Sequence, residues 1–245
     1  MDELSGGAGL YGQLAQYYDK IYSFKSYGDE AARLKETLDA EGVVEGSRIL
    51  EAACGTGAFL KPLSRWYQCE GFDLAEPMLE VAREKLPDLH LFQADMRDFR
   101  VDEPFDALLC LFSSIGYMQN DDDLLGVYAS FAAALKPGGL LLMEPWIGPE
   151  KFRPGTAHMT TYEDTELKLC RQTVSQLEDK VAVLEMNWLI ARAGEGVSHR
   201  METHRMPLVE ASHHLELLER NGFKARFEES ASMPDRGLII GKKRP

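Results

Sequence analysis

From residue 48 onward, short apolar runs alternate with stretches whose apolar residues recur every three or four positions, the rhythm of strands and covering helices around a parallel sheet. The spacing predicts strands over 48–53, 68–74, 90–95, 105–112 and 140–144. Helices are predicted over 57–67 and 76–86, and a third follows Asp121, Asp122 and Asp123 and runs to Leu135. Pro77 falls in a first helical turn, where a missing N–H costs nothing, and the three aspartates complement a helix N-terminus. The run 105–112 is almost continuously apolar, which suits a strand covered on both faces. Lys136-Pro137-Gly138-Gly139 stops the third helix.

After Pro145 the rhythm changes to long β-like segments over 160–173, 181–193 and 198–208, with turn signals at Glu178-Asp179 and Gly194-Glu195-Gly196. A helix over 209–221 and strands over 223–229 and 237–242 restore the earlier pattern. The predicted fold is therefore α/β: a doubly wound, Rossmann-like, mostly parallel seven-stranded sheet with an antiparallel β meander inserted after strand five. Residues 1–47 read as an N-terminal helical lid, 48–147 with 209–245 as one α/β domain, and 148–208 as the insertion.

Composition narrows the function by exclusion. The 245 residues are 44% hydrophobic and 27% charged, enough for a real core. Forty acidic against 27 basic residues give a net charge of -13, which argues against a nucleic-acid partner, since that affinity is mostly Lys/Arg neutralisation of phosphate. No run of about 18 apolar residues occurs, and residues 1–11 lack a basic start followed by an apolar stretch, so neither a membrane span nor a signal peptide is expected and the chain reads as cytoplasmic. Cys54, Cys69, Cys110 and Cys170 are widely spaced in apolar segments, as reduced core thiols rather than a disulfide or metal site.

The sharpest motif is Glu51-Ala52-Ala53-Cys54-Gly55-Thr56-Gly57, a strand that ends in two close glycines and runs into a helix. Glycines there let the chain turn tightly and let a ligand approach the main chain at the carboxyl end of a strand. A dinucleotide fingerprint would place a third glycine where this chain has Leu60, which disfavours a pyrophosphate cradle. Asp73, at the end of the second strand, is placed to accept both hydroxyls of a ribose. Together these features suggest a nucleoside ligand without a diphosphate.

With the segments 71–79, 93–99, 105–118 and 135–146 added, the chain resembles the class I S-adenosylmethionine-dependent methyltransferases. The resemblance implies an enzyme that uses S-adenosyl-L-methionine and leaves S-adenosyl-L-homocysteine. It places Gly55 and Gly57 at the methionyl part and Asp73 at the ribose, with Glu51, Ala52 and Thr56 also binding the cofactor. Leu74 and Met78 fall at the adenine, Asp95 with Met96 at the adenine amino group and face, and Tyr22, Leu111 and Phe112 beside the cofactor. Taken alone, Asp95 also reads as a cap and Met96 as core.

More narrowly, Tyr17-Tyr18-Asp19-Lys20-Ile21-Tyr22, Phe112-Ser113-Ser114-Ile115-Gly116, Glu144-Pro145-Trp146, Glu202-Thr203-His204-Arg205 and Arg236-Gly237-Leu238 resemble the N-methyltransferases of nucleotide-linked deoxyaminosugars. Members of that group often carry a histidine after the Ser-Ser-Ile-Gly run, where this chain has Tyr117, so the identity of any base stays open. The implied function is N-methylation of a small aminosugar-like metabolite. O- or C-methylation of another metabolite and a catalytically silent cofactor-binding module remain as alternatives, and a homodimer is left open.

The cofactor already activates its methyl group, so alignment of the nucleophile and exclusion of water are the main demands, and positioning can supply roughly 7–11 kcal/mol. An amine acceptor resembles Lys, with a pKa near 10.4, and must lose a proton first. Tyr18, Tyr117 and His204 are the catalytic candidates; the N-terminal tyrosines also read as helix packing and His204 as a structural histidine. Tyr117, Trp146, Phe152, Arg153 and Arg236 are the acceptor-side candidates, the arginines because their fork matches phosphate oxygens. Core cover and surface ion pairing are their plain alternatives. His213 and His214 read as surface.

Overall fold

The computed structural model describes residues 3–4, 14–230 and 233–245. The expectations for 1–11, and for the lid within 1–2 and 5–13, lie outside the described residues.

After a two-residue strand β1 (Glu3–Leu4) come helices α1 (Ala15–Ile21) and α2 (Tyr27–Ala40). The α/β rhythm follows as β2 (Arg48–Ala52), α3 (Leu60–Leu63), β3 (Gln68–Asp73), α4 (Glu76–Lys85), β4 (His90–Gln93), β5 (Phe105–Cys110), α5 (Asp121–Ala134) and β6 (Leu135–Met143). Four long strands succeed it: β7 (Ala157–Glu163), β8 (Leu167–Glu178), β9 (Val181–Arg192) and β10 (Gly196–Pro207). The chain closes with α6 (Ala211–Arg220), β11 (Phe223–Ser230) and β12 (Met233–Lys243).

The main sheet has seven strands in the order β11-β12-β6-β5-β2-β3-β4. β6, β5, β2, β3 and β4 run parallel, while β12 runs antiparallel between β6 and β11. The order reverses between β2 and β5, the point where doubly wound sheets open a crevice beyond the strand ends. Ala52 pairs with Cys110, and Cys110 with Met143, so β2, β5 and β6 end at one level. Ile49, Leu109 and Leu142 help form the core on one face, and Leu108, Phe131 and Leu141 on the other, which explains the unbroken apolar runs of the central strands.

Leu60, which stands where a dinucleotide site has its third glycine, packs onto Gly71 of β3. A Cβ at Gly71 would lie 2.7 Å from Leu60 Cδ1, so the glycine that allows close helix–strand packing sits on the neighbouring strand. The helix expected over 57–67 shortens to Leu60–Leu63. Pro62 lies within it, and Gly57 takes a left-handed φ of 73°.

The second sheet is an antiparallel meander in the order β10-β9-β8-β7, with β1 parallel to β10. The single segment expected over 160–173 is instead a hairpin. Asp164 Oδ1 accepts the N–H of Glu166 at 2.9 Å and of Leu167 at 2.8 Å, a side-chain turn that the β-like flanks concealed. The inner face of this sheet meets α1: Leu14, Tyr17 and Ile21 bury against Leu167, Leu169, Trp188 and Ile190. His214 corrects the surface reading. It is 2% exposed, its Nδ1 lies 2.5 Å from the Tyr128 hydroxyl, and burial lowers its pKa to about 4. Leu217 and Leu218, one turn on, turn the same face of α6 to the core.

Candidate active site

The candidate site has two parts, a glycine loop after β2 and a cavity beside the loop after β5. In the glycine loop, Gly55 (φ 54°) and Gly57 (φ 73°) are left-handed, as is Ala53 (φ 54°) between β2 and the glycines. Asp73 pins the loop: one carboxylate oxygen accepts the Gly55 N–H at 2.8 Å and the other the Ala75 N–H at 2.9 Å. Burial raises the Asp73 pKa, and these backbone donors oppose the shift. Glu51, 3% exposed at the end of β2, has its carboxyl pushed well above the usual range, first by burial and then by the Asp73 charge. Its Oε2 is buried with no hydrogen-bond partner.

Thr56 ties this loop to α1, donating to Asp19 Oδ1 at 2.5 Å while Lys85 pairs with the other Asp19 oxygen. Asp19 went unassigned in the sequence, although it lies within the tyrosine-rich segment.

The remaining cofactor-side residues differ in setting. Met78 is buried, and a Cβ on Gly55 would lie 3.3 Å from its Cε, whereas Leu74 is 41% exposed. Asp95 is held by Arg97 through a forked pair (2.6–3.1 Å), which with the Arg97 backbone N–H keeps its pKa below the usual value. Met96 packs against the core under α5. The side chains of Ala52 and Leu111 lie in the core.

After β5, Phe112 (φ 55°) and Ser113 (φ 62°) are consecutive left-handed residues with side chains, a strained arrangement that its partners hold in place. Glu144, 2% exposed at the end of β6, accepts the Phe112 N–H at 2.8 Å and pairs with Arg236 Nη1 at 3.0 Å, while the Ser113 hydroxyl donates to the Pro145 carbonyl at 2.8 Å. The Arg236 guanidinium lies 5.2 Å from the centre of the Trp146 ring and 5.6 Å from that of Phe112.

Between this loop, α1 and the inner face of the meander lies a cavity of about 560 Å³. It brings together Tyr18, Tyr22, Phe112, Tyr117, Trp146, Phe152, Arg153, His204 and Arg236, which the sequence scatters over more than 200 positions. Tyr22 stands edge-on to Phe112 (5.1 Å between centres) and accepts a hydrogen bond from Arg171 at 2.8 Å. Burial, with Tyr22, Tyr27, Tyr117 and Asp73 adding to it, pushes the Tyr18 phenol well above its usual pKa, so it stays protonated. The Tyr117 hydroxyl lies 2.6 Å from His204 Nδ1. Arg171, Trp188 and Glu202 also line the cavity, and only Glu202 had a visible signal, its alternation with His204 on one face of a strand.

Residues 49–139 match the family described as a methyltransferase domain. Over 230 residues, 93% of this chain and 96% of the relative, the chain is 33% identical to a dTDP-3-amino-3,4,6-trideoxy-alpha-D-glucopyranose N,N-dimethyltransferase of Streptomyces venezuelae. The chain belongs to the S-adenosylmethionine-dependent methyltransferases. A second relative of this methyltransferase, a dTDP-3-amino-3,6-dideoxy-alpha-D-glucopyranose N,N-dimethyltransferase of Streptomyces fradiae, is 33% identical over 94% of this chain and 91% of its own. The crystal structure of Streptomyces venezuelae DesVI superposes with a TM-score of 0.87 at 33% identity, covering 94% and 98% of the two chains. An amino pentose methyltransferase from Micromonospora echinaspora, solved with S-adenosylmethionine, gives 0.83 at 28% identity over 96% and 98%.

The cofactor is S-adenosylmethionine, and the glycine loop fits it. The buried Glu51 carboxyl, with one oxygen lacking a hydrogen-bond partner, and the half-buried Asp73 beside it suit a ligand that carries positive charge. No helix among the described residues is long and apolar enough to cross a membrane.

Proposed function

We propose that this methyltransferase N-methylates the amino group of a deoxyaminosugar carried on a nucleoside diphosphate, in the cytoplasm. The observation that carries the reading is the cavity of about 560 Å³, which brings Tyr18, Tyr22 and Phe112 together with Tyr117 and His204 and with the cations Lys151, Arg153, Arg171 and Arg236. Such cations in a chain of net charge -13 suit a small anionic ligand rather than a polyanion.

Glu51, Gly55, Thr56, Gly57 and Asp73 would hold the cofactor, with Tyr22, Met78 and Phe112 beside it. It supplies a sulfonium-activated methyl group, which passes to the amine nitrogen as its bond to sulfur breaks and the electron pair stays on sulfur. Residues 1–47 act as the lid and 148–208 as the acceptor side. Tyr18, held protonated, donates a hydrogen bond where the two ligands meet, while Tyr117 faces the amine and Phe152 and Trp146 exclude water. Arg153 and Arg236 face the phosphates; the latter must share its charge with Glu144.

Incubation with labelled S-adenosylmethionine and dTDP-linked 3-amino sugars tests the reading. Label transfer to the amino group, with release of S-adenosylhomocysteine, is the expected result. Transfer to hydroxyl acceptors alone would replace it with O-methylation.

A further inference from the structure

Along the cavity wall, a line of side chains runs from Tyr117, on the loop after β5, to His204 and Glu202 of the meander, and the proton that the amine must lose has no acceptor in the reaction as described so far. The Tyr117 hydroxyl lies 2.6 Å from His204 Nδ1. The other ring nitrogen of His204, Nε2, lies 3.8 Å from Glu202 Oε2. That oxygen is fixed by the Trp188 indole N–H at 3.0 Å, and Glu202 Oε1 is buried with no partner. His204, Glu202 and Trp188 are each 3% exposed. A carboxylate so far from water, with one oxygen unmatched, sits stably only beside something that is or becomes positive.

Given the amine acceptor proposed above, we infer that Tyr117, His204 and Glu202 form a proton-accepting relay, with Trp188 aiming the carboxylate. The carboxylate beside Nε2 favours the tautomer that carries its hydrogen there, which leaves the Nδ1 lone pair to accept from the Tyr117 hydroxyl. When a substrate ammonium donates to the Tyr117 oxygen, the phenol passes its own proton to Nδ1. The ammonium becomes a neutral amine with a lone pair, Tyr117 ends neutral, and the single proton rests on an imidazolium whose charge Glu202 stabilises. The proton leaves to solvent when product departs. Tyr117 is the catalytic residue; His204, Glu202 and Trp188 act through it.

This arrangement gives the chain an imidazole from β10, behind a tyrosine on the loop after β5. Among the described residues, Tyr117 from that loop and Glu202 from its own strand face His204. Farther along the cavity wall stand Tyr18 of α1, Arg171 of β8, whose guanidinium lies 5.5 Å from the Trp188 ring centre, and Arg236 of β12.

The test uses the intact enzyme with a dTDP-linked 3-amino sugar, steady-state kinetics across pH, and direct measurement of cofactor affinity. General-base assistance is worth about 100-fold or more, so His204→Gln should lower kcat by about that factor and remove the acid limb of the pH profile. KM and cofactor Kd should stay within about twofold. Glu202→Gln keeps an acceptor for Trp188 but removes the charge. It should lower kcat by about tenfold and move the acid limb to lower pH, because an imidazolium without its counter-charge loses its proton more readily. Tyr117→His places an imidazole directly on the loop and should make activity indifferent to His204→Gln, a rescue that a purely structural role would not produce. If the wild type methylates the amine while both His204→Gln and Glu202→Gln leave kcat and the acid limb unmoved, the relay is overturned and the amine reading stands. If the wild type methylates no amine, both fall.

Discussion

Asp19 accepts the Thr56 hydroxyl at 2.5 Å across 37 positions of sequence, which makes the tyrosine-bearing helix α1 and the glycine loop a single unit. The same carboxylate pairs with Lys85 of α4, so three elements around the cofactor crevice converge on one side chain. Cofactor affinity and the position of Tyr18 are coupled through it.

Asp19→Ala should therefore weaken S-adenosylhomocysteine binding by about tenfold, the worth of one charge-assisted hydrogen bond at a half-buried site. Isothermal titration checks it. Unchanged affinity would show that α1 does not order the glycine loop.

Asp73 has a more direct role, because its two oxygens each hold a backbone N–H while facing the crevice. Asp73→Asn turns one oxygen into an N–H donor aimed at another donor. Cofactor affinity should fall by about 100-fold, the cost of an unsatisfied charged-group hydrogen bond plus loss of the ribose contact proposed for Asp73. Binding of S-adenosylhomocysteine by the Asp73→Asn protein, measured by titration, tests it directly; an affinity within threefold of wild type would remove Asp73 from the ribose site.

The seven-stranded sheet was legible because a parallel strand covered on both faces reads as an apolar run, and each helix repeats at its own period. The glycine loop was legible because left-handed backbone conformations restrict residue types, and Asp73, expected beside it, holds the Gly55 N–H. What escaped depends on pairings across long separations. Glu144 looked like the end of a strand until Arg236 and the strained Phe112 N–H were seen to meet on it. His214 looked polar and exposed because its partner, Tyr128, lies 86 positions away. Glu202 showed in its alternation with His204 and Trp188 gave no signal, and their meeting depends on the register of β9 with β10.

The Tyr128–His214 pair gives stability a pH signature. Burial lowers the imidazole to about 4 from an ordinary 6.5, so the unfolded chain binds the extra proton first as pH falls. The pair's full contribution is present above pH 6.5 and is lost progressively toward pH 4. It amounts to about 3 kcal/mol over that window. His214→Asn should be less stable than wild type in urea at pH 7.5, and the gap should narrow steadily by pH 4.5. A constant gap would mean that the imidazole does not titrate with unfolding.

Gly116 separates cofactor binding from acceptor geometry. A Cβ there would lie 2.6 Å from Met206 Cε and 2.7 Å from Trp146 Cβ. The methionine tip can swing aside, but the Trp146 Cβ is anchored to backbone, so the loop that carries Tyr117 must move. Gly116→Ala should lower kcat by about tenfold or more, since small misplacements of reacting groups are costly, while cofactor affinity holds. Equal losses in both would show that the loop serves the cofactor as well.

Glu144 lies behind the Phe112 loop, and its loss should be felt in stability as well as in the site. It is 2% exposed, its charge is matched by Arg236 from β12, and it holds the Phe112 N–H at a left-handed position. Glu144→Gln keeps the shape and one acceptor oxygen but leaves the guanidinium short of its partner and the strained loop with a weaker tether. Removing one partner of a buried ion pair costs about 3–5 kcal/mol when the other stays buried. Because Arg236 is 26% exposed at its side chain, the loss should fall below that range, at about 2 kcal/mol. Urea unfolding measures it. The double variant Glu144→Gln with Arg236→Met separates the two causes: it recovers most of the loss if the unmatched charge dominates, and recovers nothing if the Phe112 tether is what Glu144 mainly provides.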